Sequence, residues 1–223
     1  IFLGTELQVW VSNTGGDSWT SMKLDMPTAP VHDMKIQERD NDLVVGTHGR
    51  GIYILDIAPL AELTQTVLSQ SAHLFTPESE VRWIATDRMN YSSSNFDGES
   101  EEPGASLFYY LANDAAVTLT VYQGHVPIRV IEHDGTTGVN QVQWDLEKRI
   151  KRTAAEQERL SSAGGGSRGG GGFGRGGPTA AERMQFAISE AVPGEYRVVL
   201  SANGMDYEST VTILKDEWWE GRR

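Results

Sequence analysis

The run D-L-V-V-G-T-H-G-R-G-I-Y-I-L-D at residues 42–56 decides the reading of this chain. Two short apolar stretches, rich in β-branched and aromatic residues, flank a glycine-containing turn; each stretch predicts a strand. Working outward, the same order of residues occurs earlier. I-F-L-G-T at residues 1–5 answers L-V-V-G-T at residues 43–47, with the two Gly-Thr pairs 42 residues apart. An aromatic-centred strand follows each pair, Val9-Trp10-Val11 in the first copy and Ile52-Tyr53-Ile54 in the second.

A self-match at about 40–50 residues, with four short strands per unit, is the pattern of propeller blades. Such strands are too short to bury their faces alone, and stacked units bury them against each other. V-H-D-M-K-I at residues 31–36, with Val31, Met34 and Ile36, supplies the innermost strand of the second unit. Residues 43–47 supply its second strand and residues 52–55 its third. The first unit shows its second, third and fourth strands. The chain opens on Ile1 directly in a strand-like run, without an initiator Met. We therefore expect a piece of a longer protein, with any export signal upstream. The absent fourth strand of the second unit leaves an open sheet edge. The piece in isolation is therefore expected to be poorly stable or to aggregate.

Between the third and fourth strands of the first unit stands S-N-T-G-G-D-S-W, residues 12–19. Gly15 and Gly16 suit positive φ, the short polar side chains suit bonds back to the turn backbone, and Trp19 suits a role as a pin. The run resembles the Asp-box (BNR) motif S-x-D-x-G-x-T-W. Ser12, Gly16, Ser18 and Trp19 match it, whereas Thr14 stands where the motif has Asp. The resemblance implies a structural staple, not a catalytic group.

Together with P-V-H-D-M at residues 30–34 and G-T-H-G-R-G-I at residues 46–52, this turn makes residues 1–75 resemble the end of a sortilin-like Asp-box propeller. Such propellers belong to large bacterial exported proteins of the BNR-repeat glycosyl hydrolase type. F-D-G-E-S-E-E-P-G-A at residues 96–105 is similar to the entry of a C-terminal domain in that group. G-V-N-Q-V-Q-W-D-L at 138–146 and V-P-G-E-Y-R-V-V-L at 192–200 resemble a flagellar-hook-cap-type immunoglobulin-like domain. The resemblance implies an extracellular, cell-surface or periplasmic location.

The residues alone also predict a β-sandwich in the C-terminal half. Leu107, Tyr109 and Leu111 alternate, as do Val117, Leu119 and Val121, then Tyr196, Val198 and Leu200, then Val211 and Ile213. Val139, Val142 and Trp144 mark one more strand, with Trp144 in the core. Turn signals fall at Asn113-Asp114, Gly124, Asp134-Gly135, Pro193-Gly194 and Asn203-Gly204, the last a strong hairpin signal. Six or seven such strands argue for antiparallel sheets. Residues 147–160 are charged and helix-forming. Residues 164–177 are mostly glycine and cannot bury a core.

The expected fold is therefore all-β: the last blades of a β-propeller over residues 1–75, a linker at 76–103, and an immunoglobulin-like antiparallel sandwich at 104–216. A helical and Gly-rich insertion at 147–183 interrupts the sandwich, and 217–223 form a tail.

Composition bounds the chemistry. A net charge of −12 disfavours nucleic acid and anionic membranes. It also weighs against an RNA-binding reading of S-R-G-G-G-G-F-G-R-G-G (167–177), which carries only two Arg and one Phe. No cysteine is present, so neither a disulfide framework nor a thiolate site is possible. No membrane-spanning run and no cofactor motif is visible. His32 and Asp33, on the innermost strand, and His48 and Arg50, in the Gly-rich turn, are the candidate ligand-binding residues. His125, His133 and Asp134 show no convergent metal-ligand spacing, and Glu99, Glu101 and Glu102 read as a solvated run. No carboxylate pair is marked for glycoside hydrolysis, and no G-x-S-x-G elbow occurs. The expected function is a binding or scaffold module for protein, peptide or glycan ligands. Its partners would be the remainder of its own propeller chain or neighbouring subunits. The alternative is the non-catalytic end of a carbohydrate-active hydrolase whose catalytic residues lie upstream.

Overall fold

The computed structural model describes residues 1–22, 27–39, 41–83, 104–162 and 178–217. The acidic run Glu99, Glu101 and Glu102, the Gly-rich stretch 164–177 and most of the expected linker and tail lie outside them. The described residues form an all-β protein, with sixteen strands and four short helices. Two compact units emerge. The first holds Ile1–Phe75 with Phe108–Asp114 and Thr136–Asn140; the second holds Thr76–Leu107, Ala115–Gly135 and Gln141–Arg223.

In the first unit, β1 (Phe2–Gly4), β2 (Val9–Val11) and β3 (Thr20–Ser21) form one antiparallel sheet. β4 (Val31–Gln37), β5 (Asp42–Thr47) and β6 (Ile52–Asp56) form a second. The self-match seen in the sequence is also a match of register. Phe2 faces Val11, Leu3 faces Trp10 and Gly4 faces Val9. In the second sheet Val44 faces Ile54, Val45 faces Tyr53 and Gly46 faces Ile52. The two threonines close their turns in the same way. Thr5 donates both its N–H (3.0 Å) and its Oγ1–H (2.8 Å) to the Gln8 carbonyl. Thr47 does so to the Gly51 carbonyl, at 3.1 and 2.7 Å.

The two sheets share a core. Val9, Leu43 and Val45 are fully buried, with Phe2, Val31, Met34, Tyr53 and Leu55 packed around them. The Gly4 position is tight: a Cβ there would lie 2.6 Å from Val31 Cγ1. The Val31 N–H donates to the Thr5 carbonyl at 2.9 Å and fixes this approach. Two short helices follow, α1 (Ala58–Glu62) and α2 (Gln65–Leu68), then β7 (Ala72–Leu74). Thr64 caps α2 by accepting the Val67 N–H.

The remaining strands and helices are β8 (Glu80–Arg82), β9 (Ala105–Leu111), β10 (Ala115–Gln123), β11 (Val126–Gly135), β12 (Gly138–Trp144), β13 (Glu147–Lys151), α3 (Ala154–Ser162), α4 (Ala180–Gln185), β14 (Phe186–Glu190), β15 (Gly194–Ala202) and β16 (Met205–Lys215). The end of β9 pairs antiparallel with β7. The second unit is built on a five-stranded sheet in the order β11-β10-β15-β16-β8. Leu119 lies opposite Leu200 and Val121 opposite Val198, and all four are buried. Each such aliphatic side chain contributes about 1.5–3 kcal/mol of burial. Trp144 is fully buried, edge-on to Tyr196 at 5.2 Å between ring centres. Its indole N–H donates to the Glu147 carbonyl and the Tyr196 hydroxyl to the Val192 carbonyl, so neither polar tip is left unpaired.

Three local expectations differ from what forms. Residues 147–151 are a strand, not a helix, because they pair residue for residue with β14; pairing overrides the helical preference of Glu, Lys and Arg. Inside the expected linker, Glu80–Arg82 adds a parallel strand to β16. Its anchor is Arg82, whose guanidinium donates to the Ala191 carbonyl at 3.0 Å. Val139 lies on β12 but is 40% exposed, since Val142 and Trp144 take the buried face.

Candidate functional site

The four candidate ligand-binding residues lie around the end of the β4–β5 pair. Val31 opposes Thr47 and Asp33 opposes Gly46, so His32 is the extra residue of a β-bulge. Such a residue is unpaired on its strand, and the local bend re-aims its side chain. Just beyond β5, the His48 N–H donates to the Pro30 carbonyl at 2.9 Å and extends the ladder by one step. The two imidazoles meet, with ring centres 4.8 Å apart and planes inclined at 38°. Both side chains are exposed.

The turn that follows holds its form through Gly49 and Gly51, at φ 73° and 98°, where an L side chain would be strained. The Tyr53 hydroxyl donates to the Arg50 carbonyl at 3.0 Å and closes it. Arg50 is exposed and makes no ion pair among the described residues. Asp33 accepts the neighbouring Met34 N–H at 2.9 Å. The structure thus brings His32 and His48 together, while Asp33 and Arg50 make no hydrogen bond or ion pair with either ring. The sequence placed the histidines on separate elements. The signal that joins them is the β4–β5 pairing, which folds their 16-residue separation back on itself.

The turn at residues 12–19 is organised by two hydroxyls. Ser12 is buried, and its Oγ accepts the Gly16 N–H at 2.8 Å. Thr14 Oγ1 accepts the Ser18 N–H at 2.9 Å and lies 3.0 Å from the Ser18 hydroxyl. Gly15 and Gly16 have the expected positive φ, 73° and 109°. Trp19 is 37% exposed. A cavity of about 420 Å³ lies between this turn and the two short helices, lined in part by Ser12, Asn13, Leu60, Leu63, Thr64 and Gln65. The side chains of its lining are aliphatic, hydroxyl or amide.

His125 sits in the turn before β11, and His133 and Asp134 near its far end. Eight residues of strand separate the two histidines by roughly 26 Å, too far to share an ion. Among the described residues, no group of three or more His, Cys, Asp or Glu side chains could hold a metal ion. No helix among them is long and apolar enough to cross a membrane.

A connected charged cluster belongs to the second unit. Arg149 reaches Asp145 (3.4 Å), Glu147 (3.0 Å) and Glu182 (2.8 Å), and Arg129 reaches Asp145 (3.0 Å). These bonds fasten α4 to β13. The Glu182 carboxyl is held below its ordinary range, first by the Thr179 N–H and hydroxyl and then by Arg149. Each carboxylate here is matched to a cation, as a structural clamp requires. No protein-family model matches the chain, and no curated protein matches it.

Proposed function

We propose that this chain is the C-terminal part of an exported, sortilin-like Asp-box propeller protein, where it serves as a binding and scaffold module for protein, peptide or glycan ligands. One face of two equivalent sheets meets opposite fates. In the first sheet the face carrying Gly4, Val9 and Val11 is covered, with Gly4 against Val31 and Val9 in the core with Leu43 and Val45. In the second sheet the register-equivalent face carries Gly46, Ile52 and Ile54. It stands bare, with Ile52 73% and Ile54 67% exposed. Two large aliphatic side chains side by side on a strand that is an edge among the described residues are an unfinished interface. A further repeat, from the rest of the same polypeptide or from a neighbouring subunit, fits there as the second sheet fits the first.

The hydroxyl-organised turn at 12–19 supports the Asp-box part of the reading, with Thr14, at the motif's Asp position, accepting the Ser18 N–H. The Trp144–Tyr196 pair supports the immunoglobulin-like part. A buried Trp and a Tyr whose hydroxyl returns to nearby backbone are features of such sandwiches.

Photo-crosslinking tests the proposal. A photoreactive residue at position 54 in the protein produced by its own cells should link to a strand-bearing peptide of the same polypeptide or a neighbouring subunit, in the exported fraction. A cytoplasmic protein with no such link would overturn it.

A further inference from the structure

We propose that His32 and His48 form a two-imidazole seat for a divalent transition ion of the copper or zinc class. Imidazole nitrogens suit these ions, which bind at about 2.0–2.1 Å. Two rings sharing one ion at an angle of roughly 90–110° have centres roughly 4.6–5.3 Å apart for such bonds. The observed 4.8 Å lies in that interval.

The backbone that carries the pair is held before any ion arrives. His32 is fixed as the bulge residue between two paired positions of β4, and His48 by its N–H bond to the Pro30 carbonyl. The Gly49–Gly51 turn behind His48 is closed by the Thr47 hydroxyl on the Gly51 carbonyl. Binding therefore orders two side chains on a fixed backbone and no loop, which keeps its entropic cost low.

Two protein donors fill half of a four-coordinate shell. Asp33 already accepts the Met34 N–H, and no third His, Cys, Asp or Glu completes a cluster among the described residues. The remaining positions belong to water, which makes the ion exchangeable and leaves it open to a donor from a bound ligand. That is the arrangement of a recruiting site rather than a structural one. The seat is the same whether or not the two sheets belong to a propeller.

Titration of the full chain with Cu²⁺ alone, then with Zn²⁺ alone, tests the proposal. One ion per chain should bind, Cu²⁺ more tightly than Zn²⁺. The copper signal in electron paramagnetic resonance should carry coupling to two nitrogens. His32→Ala and His48→Ala should each weaken binding by tenfold or more, and His125→Ala should leave it unchanged. Both substituted side chains are exposed, and circular dichroism checks that the variants fold. In the unmodified chain, Zn²⁺ should move the imidazole proton resonances of two of the five histidines. Equal affinity in the unmodified chain and the His32→Ala, His48→Ala double variant would overturn the proposal, as would movement of the His73, His125 or His133 resonances instead.

Discussion

At the scale of single residues, the two repeat glycines are chemically identical and structurally opposite. A methyl group at Gly4 would lie 2.6 Å from Val31 Cγ1 and 2.9 Å from its Cβ, and a β-branched neighbour has little rotamer freedom to move away. Gly4→Ala should therefore cost about 1–3 kcal/mol. At Gly46 the same methyl meets only the Asp33 carbonyl oxygen, at 3.6 Å. Gly46→Ala should change stability by less than about 0.5 kcal/mol. Urea unfolding of both variants decides it, and equal losses would mean that the two sheets do not meet as described. Burial also sets a pH limit. It pushes the Tyr109 phenol up to about 12, whereas the unfolded chain ionises near 10.0. The folded state thus keeps its proton longer. Stability should hold below about pH 10 and fall by about 1.4 kcal/mol per unit as pH rises toward 12. Tyr109→Phe should flatten that slope in alkaline melts. The burial of Tyr109 was legible from its alternation with Leu107 and Leu111. The meeting of His32 with His48 was not, because a bulge depends on cross-strand register, which residue spacing within one strand does not encode.

At the scale of elements, period-two alternation located the strands whose one face is buried. β9, β10 and β15 were legible for that reason, and the Asn203-Gly204 signal marks the β15–β16 hairpin, where Asn203 has φ 53°. Strands without a clean apolar face escaped. β13 reads E-K-R-I-K and exists through its pairing with β14 and through the clamp on Arg149. β8 is three residues long and takes its place from one parallel pairing and from Arg82. The helix α4 has a different origin. Thr179 and Glu182 form a complete capping box, each side chain satisfying the other's backbone N–H. Six residues are too few to hold a helix by propensity. Thr179→Ala should therefore cost about 1 kcal/mol locally. Hydrogen exchange should show faster amide exchange across 180–185 with little change in the global melting temperature. Unchanged exchange would mean that the Arg149–Glu182 contact alone holds the helix.

At the scale of the whole molecule, two forces act on association with opposite dependence on salt. The net charge of −12 repels one copy from another over a Debye length of about 10 Å at 0.1 M salt. The bare Ile52 and Ile54 on β6 attract through burial, which salt does not screen. The sequence made the repeat and the open edge legible. It could not say which face of the second sheet is bare, since Val44, Val45, Ile52, Tyr53 and Ile54 are all apolar. Register resolves it, by setting Val45 and Tyr53 on the core face and Val44 and Ile54 on the other. The chain by itself should therefore self-associate, and more strongly as salt rises and only the repulsion weakens. Ile52→Lys with Ile54→Lys should abolish this. Both side chains already face water, so circular dichroism and the melting temperature should barely change. Sedimentation velocity across a salt series separates the possibilities. Association that weakens with salt would point to charge pairing. A chain that stays monomeric throughout and melts cooperatively would mean that the β6 face needs no partner, and the scaffold reading would fall with it.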